Sequence, residues 1–268
     1  MAEKKLEEQV TALREGHVFV YSPGGKAADQ VQLPVCFSTS YRPDIIRKDV
    51  AAAASNRRQP YGPKFRAGMH HSVETWGKGR GVARVQRIKG QSTAAESPNN
   101  VGGRRAHPPR PWKDWSMKVN AKERRLARMS ALAATANAEI VRSRGHRFSE
   151  ELSLPVVLED SIEELSKVAE FEQLLGSLGV VDDIVRVRNG RHVRAGKGKM
   201  RNRRYRQPVG PLVVLSSHDV ALARSARNLA GVDVITPGQL STEILAPGGD
   251  AGRLVIFSRK ALQNLGGK

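Results

Sequence analysis

Leucine is missing from a long internal stretch of the chain, and this gap restricts what the chain can fold into. No leucine occurs between Leu33 and Leu126, although the residue is frequent elsewhere. The stretch is instead rich in glycine, proline, arginine, serine and asparagine, as in QSTAAESPNNVGGRRAHPPRPWKDW. Such a composition offers too little apolar surface to offset the entropy lost on ordering. We therefore expect the core of the fold to come from the segments on either side.

The positive charge is concentrated in two segments. The 268-residue chain has a formal net charge of +19, and its pI is near 10.7. Residues 57–113 hold thirteen basic residues against two acidic ones, and residues 186–206 hold ten basic residues and no acidic one. The rest of the chain is close to neutral. This distribution predicts a globule that carries two basic segments, with a polyanionic partner such as nucleic acid.

Composition also excludes several classes of protein. No run approaches eighteen apolar residues, and the start, MAEKKLEEQV, alternates acids with lysines. We therefore expect no signal peptide, no membrane span and a cytoplasmic location. The basic segments lack the continuous apolar face of a membrane-surface helix. Cys36 is the only cysteine, which excludes an internal disulfide and a CxxC zinc site.

Strands and helices are predicted to alternate after the gap. Four short apolar runs do not alternate with polar residues, which is typical of strands buried on both faces of a parallel sheet. Segments with helical spacing separate them, and Asn120 and Ser161 are each followed three residues later by Glu, as in a capping box. The strands are predicted at 154–158, 211–215, 232–236 and 253–257, and the helices at 120–145, 161–178, 219–231 and 258–265.

The predicted fold class is α/β: a single globular domain with a mostly parallel sheet flanked by helices, interrupted by a long extended basic loop. Residues 1–43 are predicted to form an N-terminal extension and an edge hairpin around Pro23-Gly24-Gly25. Residues 44–118 are predicted to form an extended basic arm. Residues 119–268 complete the α/β domain, with a second basic loop at 190–208.

A nucleotide-dependent α/β enzyme with basic substrate-binding loops is the alternative hypothesis. A dinucleotide-binding loop needs GxGxxG between a buried strand and a helix. In GKGRGVAR, Val82 stands where the third glycine belongs, and no buried strand precedes the loop. The segment AGKGKM at 195–200 lacks the Ser or Thr of a phosphate loop. Neither glycine segment therefore indicates a cofactor.

Other candidate catalytic groups have structural interpretations. We expect SSHD at 216–219 to cap a helix, because adjacent residues cannot form a catalytic triad. His70, His71 and Glu74 lack the spacing of metal ligands, and Asp182-Asp183 is typical of a helix start. We therefore predict no catalytic residue, no metal and no cofactor.

Aromatic residues interleave with the basic ones, which favours RNA as the partner. Aromatic rings can stack on exposed bases while Arg binds phosphate in bidentate geometry. Nothing resembles a helix-turn-helix, zinc finger or zipper, so DNA is not predicted. An inert Gly-Arg linker stays open as an interpretation of the arm. The interleaved aromatic residues are Tyr61, Phe65, Trp76, Trp112 and Trp115.

Six blocks, in order, resemble one family: the fourth protein of the large ribosomal subunit in its archaeal and eukaryotic form. The similarity runs from about residue 40 to the end. The blocks are ETWGKGRGVARVQRIKG (74–90), GGRRAHPP (102–109), KERRLARMSALAATA (122–136), RAGKGKMRNRRYR (194–206), ARNLAGVDV (226–234) and LAPGGDAGRLVIF (245–257).

The resemblance implies a structural, non-catalytic constituent of the large subunit that binds ribosomal RNA and acts in assembly. It implies neighbouring ribosomal proteins as partners, and an arm that lines the polypeptide exit tunnel near the nascent chain. The implied tunnel-wall residues are Thr75, Trp76, Gly77, Lys78, Gly79, Arg80 and Gly81. The predicted RNA-binding residues are Arg57, Arg58, Lys64, Arg66, Lys78, Arg80, Arg84, Arg87, Lys89, Arg104, Arg105 and Arg110 in the arm, and Arg194, Lys197, Lys199, Arg201, Arg203, Arg204 and Arg206 in the second loop.

Overall fold

A computed structural model describes residues 16–266, so the predicted N-terminal extension lies mostly outside the described residues. The strands are β1 (His17–Tyr21), β2 (Ala27–Gln32), β3 (Val73–Thr75), β4 (Gln86–Ile88), β5 (Val156–Leu158), β6 (His192–Val193), β7 (Tyr205–Arg206), β8 (Leu212–Val214), β9 (Asp233–Ile235) and β10 (Val255–Ser258). The helices are α1 (Pro43–Asn56), α2 (Ala121–Thr135), α3 (Ala138–Ser143), α4 (Val168–Ser177), α5 (Val181–Asn189), α6 (Ala221–Arg227), α7 (Thr242–Leu245) and α8 (Arg259–Gly266).

A six-stranded sheet has the order β2-β1-β5-β10-β8-β9. Strands β1 and β2 pair antiparallel around the Pro-Gly-Gly turn, and every other neighbouring pair is parallel. The predicted α/β class with a mostly parallel sheet is therefore confirmed. The N-terminal hairpin also forms as predicted, with β2 at the sheet edge.

The central strands of this sheet are buried on both faces, which explains why β5 and β8 are apolar at every position. Successive side chains of a strand point to opposite faces. Val156 and Leu158 accordingly join one core cluster with α4, α5 and α6 residues, while Val157 joins a second cluster with α1, α2 and α8 residues. Helices thus cover the sheet on both sides.

The chain divides into two compact units. The larger comprises the residues up to Ala53 and from Lys118 onward, and the smaller is Ala54–Met117. The predicted arm starts earlier, at residue 44, because the leucine gap suggested that nothing there could enter a core. The structure differs at this point: Ile46 and Val50 of α1 are buried in the second core cluster. Isoleucine, valine and alanine supply the apolar surface that leucine does not.

Two predicted helices are corrected. The helix predicted over 120–145 is two helices, because the Asn137 side chain accepts hydrogen bonds from the N–H groups of Glu139 and Ile140 and starts α3. The helix predicted over 161–178 begins only at Val168. The Ser161 box instead lies in a 3-10 turn over Asp160–Glu164 that buries Ile162.

The predicted cap at 216–219 is also wrong. Helix α6 starts after Val220 and has no side-chain cap. Ser216 instead donates to the Glu163 carboxylate from its N–H at 2.9 Å and from its hydroxyl at 2.6 Å. Glu163, more than fifty positions away in the sequence, therefore binds the Ser216 hydroxyl that a local helix cap would have used.

Candidate nucleic-acid interface

The smaller unit, residues 54–117, is the arm, and it has almost no interior. All of it is described, and only Ser55 and Ala95 are buried. Neither core cluster contains a residue from this range. Hydrophobic burial is normally the dominant favourable term in folding. The arm must therefore depend on local backbone pairing and on contacts between cations and aromatic rings.

A short hairpin organises the middle of the arm. Strands β3 and β4 pair antiparallel, with Glu74 opposite Arg87, and the Ala95 N–H donates to the Gln86 carbonyl at 3.0 Å. The ion pair between Glu74 and Lys89 spans 3.8 Å and is exposed, so it adds little stability. Backbone hydrogen bonds pair the two strands, and the Arg87 side chain adds hydrogen bonds to the carbonyls of Ser92 and Ala83.

The loop of this hairpin, residues 76–85, contains the glycine motif. Gly77, Gly79 and Gly81 have φ angles of 72°, 86° and 66°, and a Cβ at each would meet nothing within 4 Å. These positive φ angles favour glycine, whereas the space around each position would admit a side chain. The loop joins two short strands, so it is not the strand-to-helix connection of a cofactor site. Of the predicted tunnel-wall residues, Thr75 ends β3 and the other six, residues 76–81, form the first part of the loop.

Trp76 lies between two guanidinium groups at the base of that loop. Arg80 is 5.3 Å and Arg87 is 4.8 Å from the ring centroid. Arg87 also donates to the carbonyls of Ser92 and Ala83, and it is half-buried. Arg80 and Arg84 are exposed. Of the three arginines predicted to hold RNA in this block, Arg87 is thus already engaged in shaping the loop.

The same pairing recurs at the ends of the arm. Trp115 lies between Arg58, at 4.7 Å, and Lys113, at 4.3 Å. Arg110 lies between Phe65, at 5.2 Å, and Trp112, at 5.1 Å. These contacts contribute about 0.5–1 kcal/mol each at exposed sites. They keep each of these aromatic rings next to a basic side chain.

Several of these rings remain open to solvent. Tyr61, Phe65 and Trp112 are 73%, 70% and 69% exposed. Single exposed apolar side chains are common on protein surfaces, and Phe65 and Trp112 stand out because the Arg110 guanidinium lies beside both rings. Flat rings beside guanidinium groups suit a ligand that offers both bases and phosphates.

The two ends of the arm are tied together. The Asn56 amide exchanges hydrogen bonds with the Met117 backbone, at 2.8 and 3.3 Å. The Ser55 hydroxyl donates to the Trp115 carbonyl at 2.6 Å. Further along, a Cβ on Gly62 would lie 2.7 Å from the Pro109 carbonyl oxygen. The outgoing and returning chains therefore run side by side near the ends.

The second basic segment is a separate hairpin. Strands β6 and β7 pair through His192 with Arg206 and Val193 with Tyr205, and none of residues 191–207 is buried. Arg194 donates to the carbonyls of Arg203 and Tyr205, at 3.1 and 3.4 Å. Arg194 therefore braces the hairpin. The other predicted RNA-binding residues of this loop, all exposed, are Lys197, Lys199, Arg201, Arg203, Arg204 and Arg206.

A buried carboxylate anchors the base of this hairpin. Asp183 is completely buried, and it accepts from His146 Nδ1 at 3.0 Å and from Arg186 Nε at 2.9 Å. Arg186 also donates to the Val209 carbonyl at 2.9 Å, where the chain leaves the hairpin. Burial alone would raise the pKa of Asp183, but the hydrogen bonds from His146 and Arg186 lower it below its ordinary value. Asp182 and Asp183 lie in the first turn of α5, as predicted. The bonds of Asp183 to His146 and Arg186 were not predicted from any sequence pattern.

Open α/β folds usually bind nucleotides at the edge of the sheet where the parallel strands end. In this protein an acidic side chain occupies that edge. Glu163 lies there, bound to Ser216 beyond the end of β8. Burial raises the pKa of Glu163, yet hydrogen bonds from Ser216 and Ser258 outweigh it and lower the pKa. Glu163 is therefore ionised at neutral pH and would repel phosphate. Over residues 16–266, no three His, Cys, Asp or Glu side chains are placed to hold a metal ion.

The α/β scaffold carries a basic arm without a core and a basic hairpin, and both expose aromatic rings. Such basic extensions are typical of nucleic-acid-binding proteins. No helix within the described range is long and apolar enough to cross a membrane. The chain matches the model of the Ribosomal protein L4/L1 family over residues 31–268, and it belongs to this family. The predicted family is therefore confirmed.

Curated relatives agree along nearly the whole chain. The large ribosomal subunit protein uL4 of Methanothrix thermoacetophila is 49% identical over 90% of this chain and 95% of its own length. Those of Methanococcoides burtonii and Methanosphaera stadtmanae are 47% and 46% identical, over 91% and 92% of this chain and 95% of their own lengths. Membership of a ribosomal-protein family decides against the enzyme alternative.

Proposed function

We propose that this protein is a structural constituent of the large ribosomal subunit, bound to its ribosomal RNA in the cytoplasm. The observation that carries the proposal is the family match, which covers both basic segments. The geometry supports it, because both segments expose cations and aromatic rings that a core would have hidden. A neutral globule with basic extensions suits assembly among RNA helices and neighbouring ribosomal proteins.

The predicted RNA-binding residues divide into two groups by their present contacts. Most are exposed and available to phosphate oxygens. Arg87 and Arg194 are half-buried and donate to backbone carbonyls, so we assign them the role of keeping the two loops in shape. Arg104 and Arg110 are also half-buried. This division predicts that exposed cations set the salt dependence of binding, while the bracing arginines set loop conformation.

We assign the glycine loop to the wall of the exit tunnel. Its three glycines leave open space on the loop surface, which suits a wall that a nascent polypeptide passes without catching on side chains. Trp76 is held between Arg80 and Arg87, so it offers a fixed surface to the chain in transit. Lys78 and Arg80 would keep that wall positively charged.

Deleting residues 60–110 tests the proposal. Gly62 lies against Pro109 and Pro111, so a short glycine linker can join residues 59 and 111. Both core clusters lie outside the deleted range, and we expect the remaining protein to fold. The full chain should assemble with large subunits and leave them only at high salt, whereas the deletion variant should not assemble stably. Sedimentation of reconstituted subunits measures this.

A full-length variant with the exposed arm cations changed to Gln provides the matched control. It keeps the length and glycines of the arm but loses its charge, and it should also fail to assemble stably. Normal assembly of both variants would refute the role of the arm in RNA binding. Saturable nucleotide binding by the full chain that survives high salt would instead revive the enzyme alternative.

A further inference from the structure

A cleft lies beside the base of the second basic hairpin, within the larger unit. Its volume is about 490 Å³, and residues that line it include Tyr41, Arg144, His146, Arg186 and Asp250. Pro208 and Val209, where the chain leaves the hairpin, also line it. A cleft of this size falls in the range that holds small organic molecules. None of its residues belongs to the RNA-binding set predicted from the sequence.

Positive charge converges on this cleft. Arg144 donates to the carbonyls of Pro247 and Asp250, and no carboxylate within residues 16–266 pairs with it. Burial lowers the pKa of Arg144; Asp250 opposes this, and the nearby charges of Arg253 and Arg186 lower it further. Asp250 itself is largely exposed and pairs with Arg47 at 3.2 Å. Because Arg186 is paired with Asp183 and Asp250 is paired with Arg47, Arg144 supplies the excess positive charge of this partly desolvated site, which an anion would stabilise.

The other lining groups suit the remaining parts of a nucleotide. The Nδ1 atom of His146 is bound to Asp183, and Asp183 is held ionised by its partners. In the neutral ring, Nε2 is then an acceptor for a ribose hydroxyl or a base amino group. Tyr41 is 43% exposed at the rim and offers an aromatic face for stacking.

We propose that this cleft holds one nucleotide of the ribosomal RNA, with its phosphate at Arg144 and Arg186 and its base against Tyr41. The inference rests on the RNA-binding function proposed above. RNA is favoured over an acidic protein segment because Pro208 and Val209 connect the cleft to a hairpin that exposes six of the cations assigned to phosphate.

The two ends of the nucleotide can be tested separately in the full-length protein. Binding of large-subunit ribosomal RNA, transcribed in vitro, would be measured across a range of salt concentrations. Tyr41→Ala should weaken binding about tenfold through loss of stacking and leave the salt dependence unchanged. Arg144→Gln should reduce the slope of log K against log salt by about one, because one phosphate contact is lost.

Arg142→Gln is the matched control. Arg142 is in the last turn of α3, two residues before Arg144, is partly exposed and pairs with Glu150 outside the cleft, so its removal should leave both the affinity and the slope unchanged. Thermal unfolding checks that each variant is folded, and Tyr41→Ala keeps the test decisive if Arg144→Gln is unstable. RNA affinity and slope that stay unchanged in both cleft variants would overturn the inference. If those variants bind RNA normally but fail to assemble with large subunits, the cleft binds a protein partner, and the inference is overturned as well. Wild-type protein without salt-dependent RNA binding would refute the proposed function itself.

Discussion

Two buried charged side chains, Arg253 and Asp183, are each surrounded by several hydrogen-bonding partners. Arg253 is 1% exposed and donates to the carbonyls of Gly210 and Ile244 as well as to the Asp233 carboxylate. Asp183 is satisfied by His146, Arg186 and the Arg147 N–H. Burying an ion without such partners would cost several kcal/mol. These networks therefore fix the base of the second hairpin in place.

Asp183→Asn should destabilise the protein in a pH-dependent way. The folded pKa of Asp183 is lowered from its ordinary value of 3.8, so its ionic contribution is complete above about pH 4 and is lost as the pH falls through the folded pKa. At neutral pH we expect the variant to lose about 2 kcal/mol of unfolding free energy. Urea denaturation at several pH values measures the difference, which should shrink as the pH falls below about 4. A difference that grows toward acid would contradict the assigned ionised state.

All three tryptophans of the chain lie in the arm, which gives this element its own spectroscopic signal. Trp76 and Trp115 are each flanked by two cations, and Trp112 is 69% exposed. In the free protein these rings contact basic side chains of the arm, and two of these, Arg58 and Arg80, are among the residues that we assign to phosphate. Binding of RNA should therefore exchange cation contacts for base contacts within one element.

Tryptophan fluorescence should report that exchange. Adding large-subunit ribosomal RNA should quench the emission as bases stack on the rings, and raising the salt concentration should restore it. Trp112→Phe should remove much of the change because Trp112 is the most exposed of the three rings named above. Emission that stays constant while RNA binds would favour the inert-linker interpretation of the arm.

The sequence predicted most elements of the main sheet but few of their boundaries. Strands β5, β8, β9 and β10 were predictable because short, continuous apolar runs are typical of strands that are buried on both faces of a parallel sheet. The start of α4 was not, because Ser161 and Glu164 look like a cap while the real constraint is Ile162, which packs into the core. Such long-range competition leaves no local sequence pattern.

Across the whole molecule, the uneven charge located the two basic segments but not their internal geometry. The arm has no core, as the composition predicted, and no residue at 191–207 is buried. The bracing roles of Arg87 and Arg194 were not predictable, because each depends on carbonyls presented by the folded loop. The cleft was also missed, since Tyr41, Arg144 and Arg186 come from three separate segments that only the fold brings together.

The salt dependence of RNA binding tests the central claim, that the two basic segments are the RNA-binding surface. A full-length variant with Arg201, Arg203, Arg204 and Arg206 changed to Gln would be compared with the wild type. A matched control would carry the same change at exposed cations of the globule: Lys167, Arg224, Arg227 and Lys260.

The slope of log K against log salt should become shallower by about three in the hairpin variant, because each lost phosphate contact removes about 0.7–0.9. The control should keep the wild-type slope. Equal slopes in the wild type and the hairpin variant, or a larger loss in the control, would contradict the account.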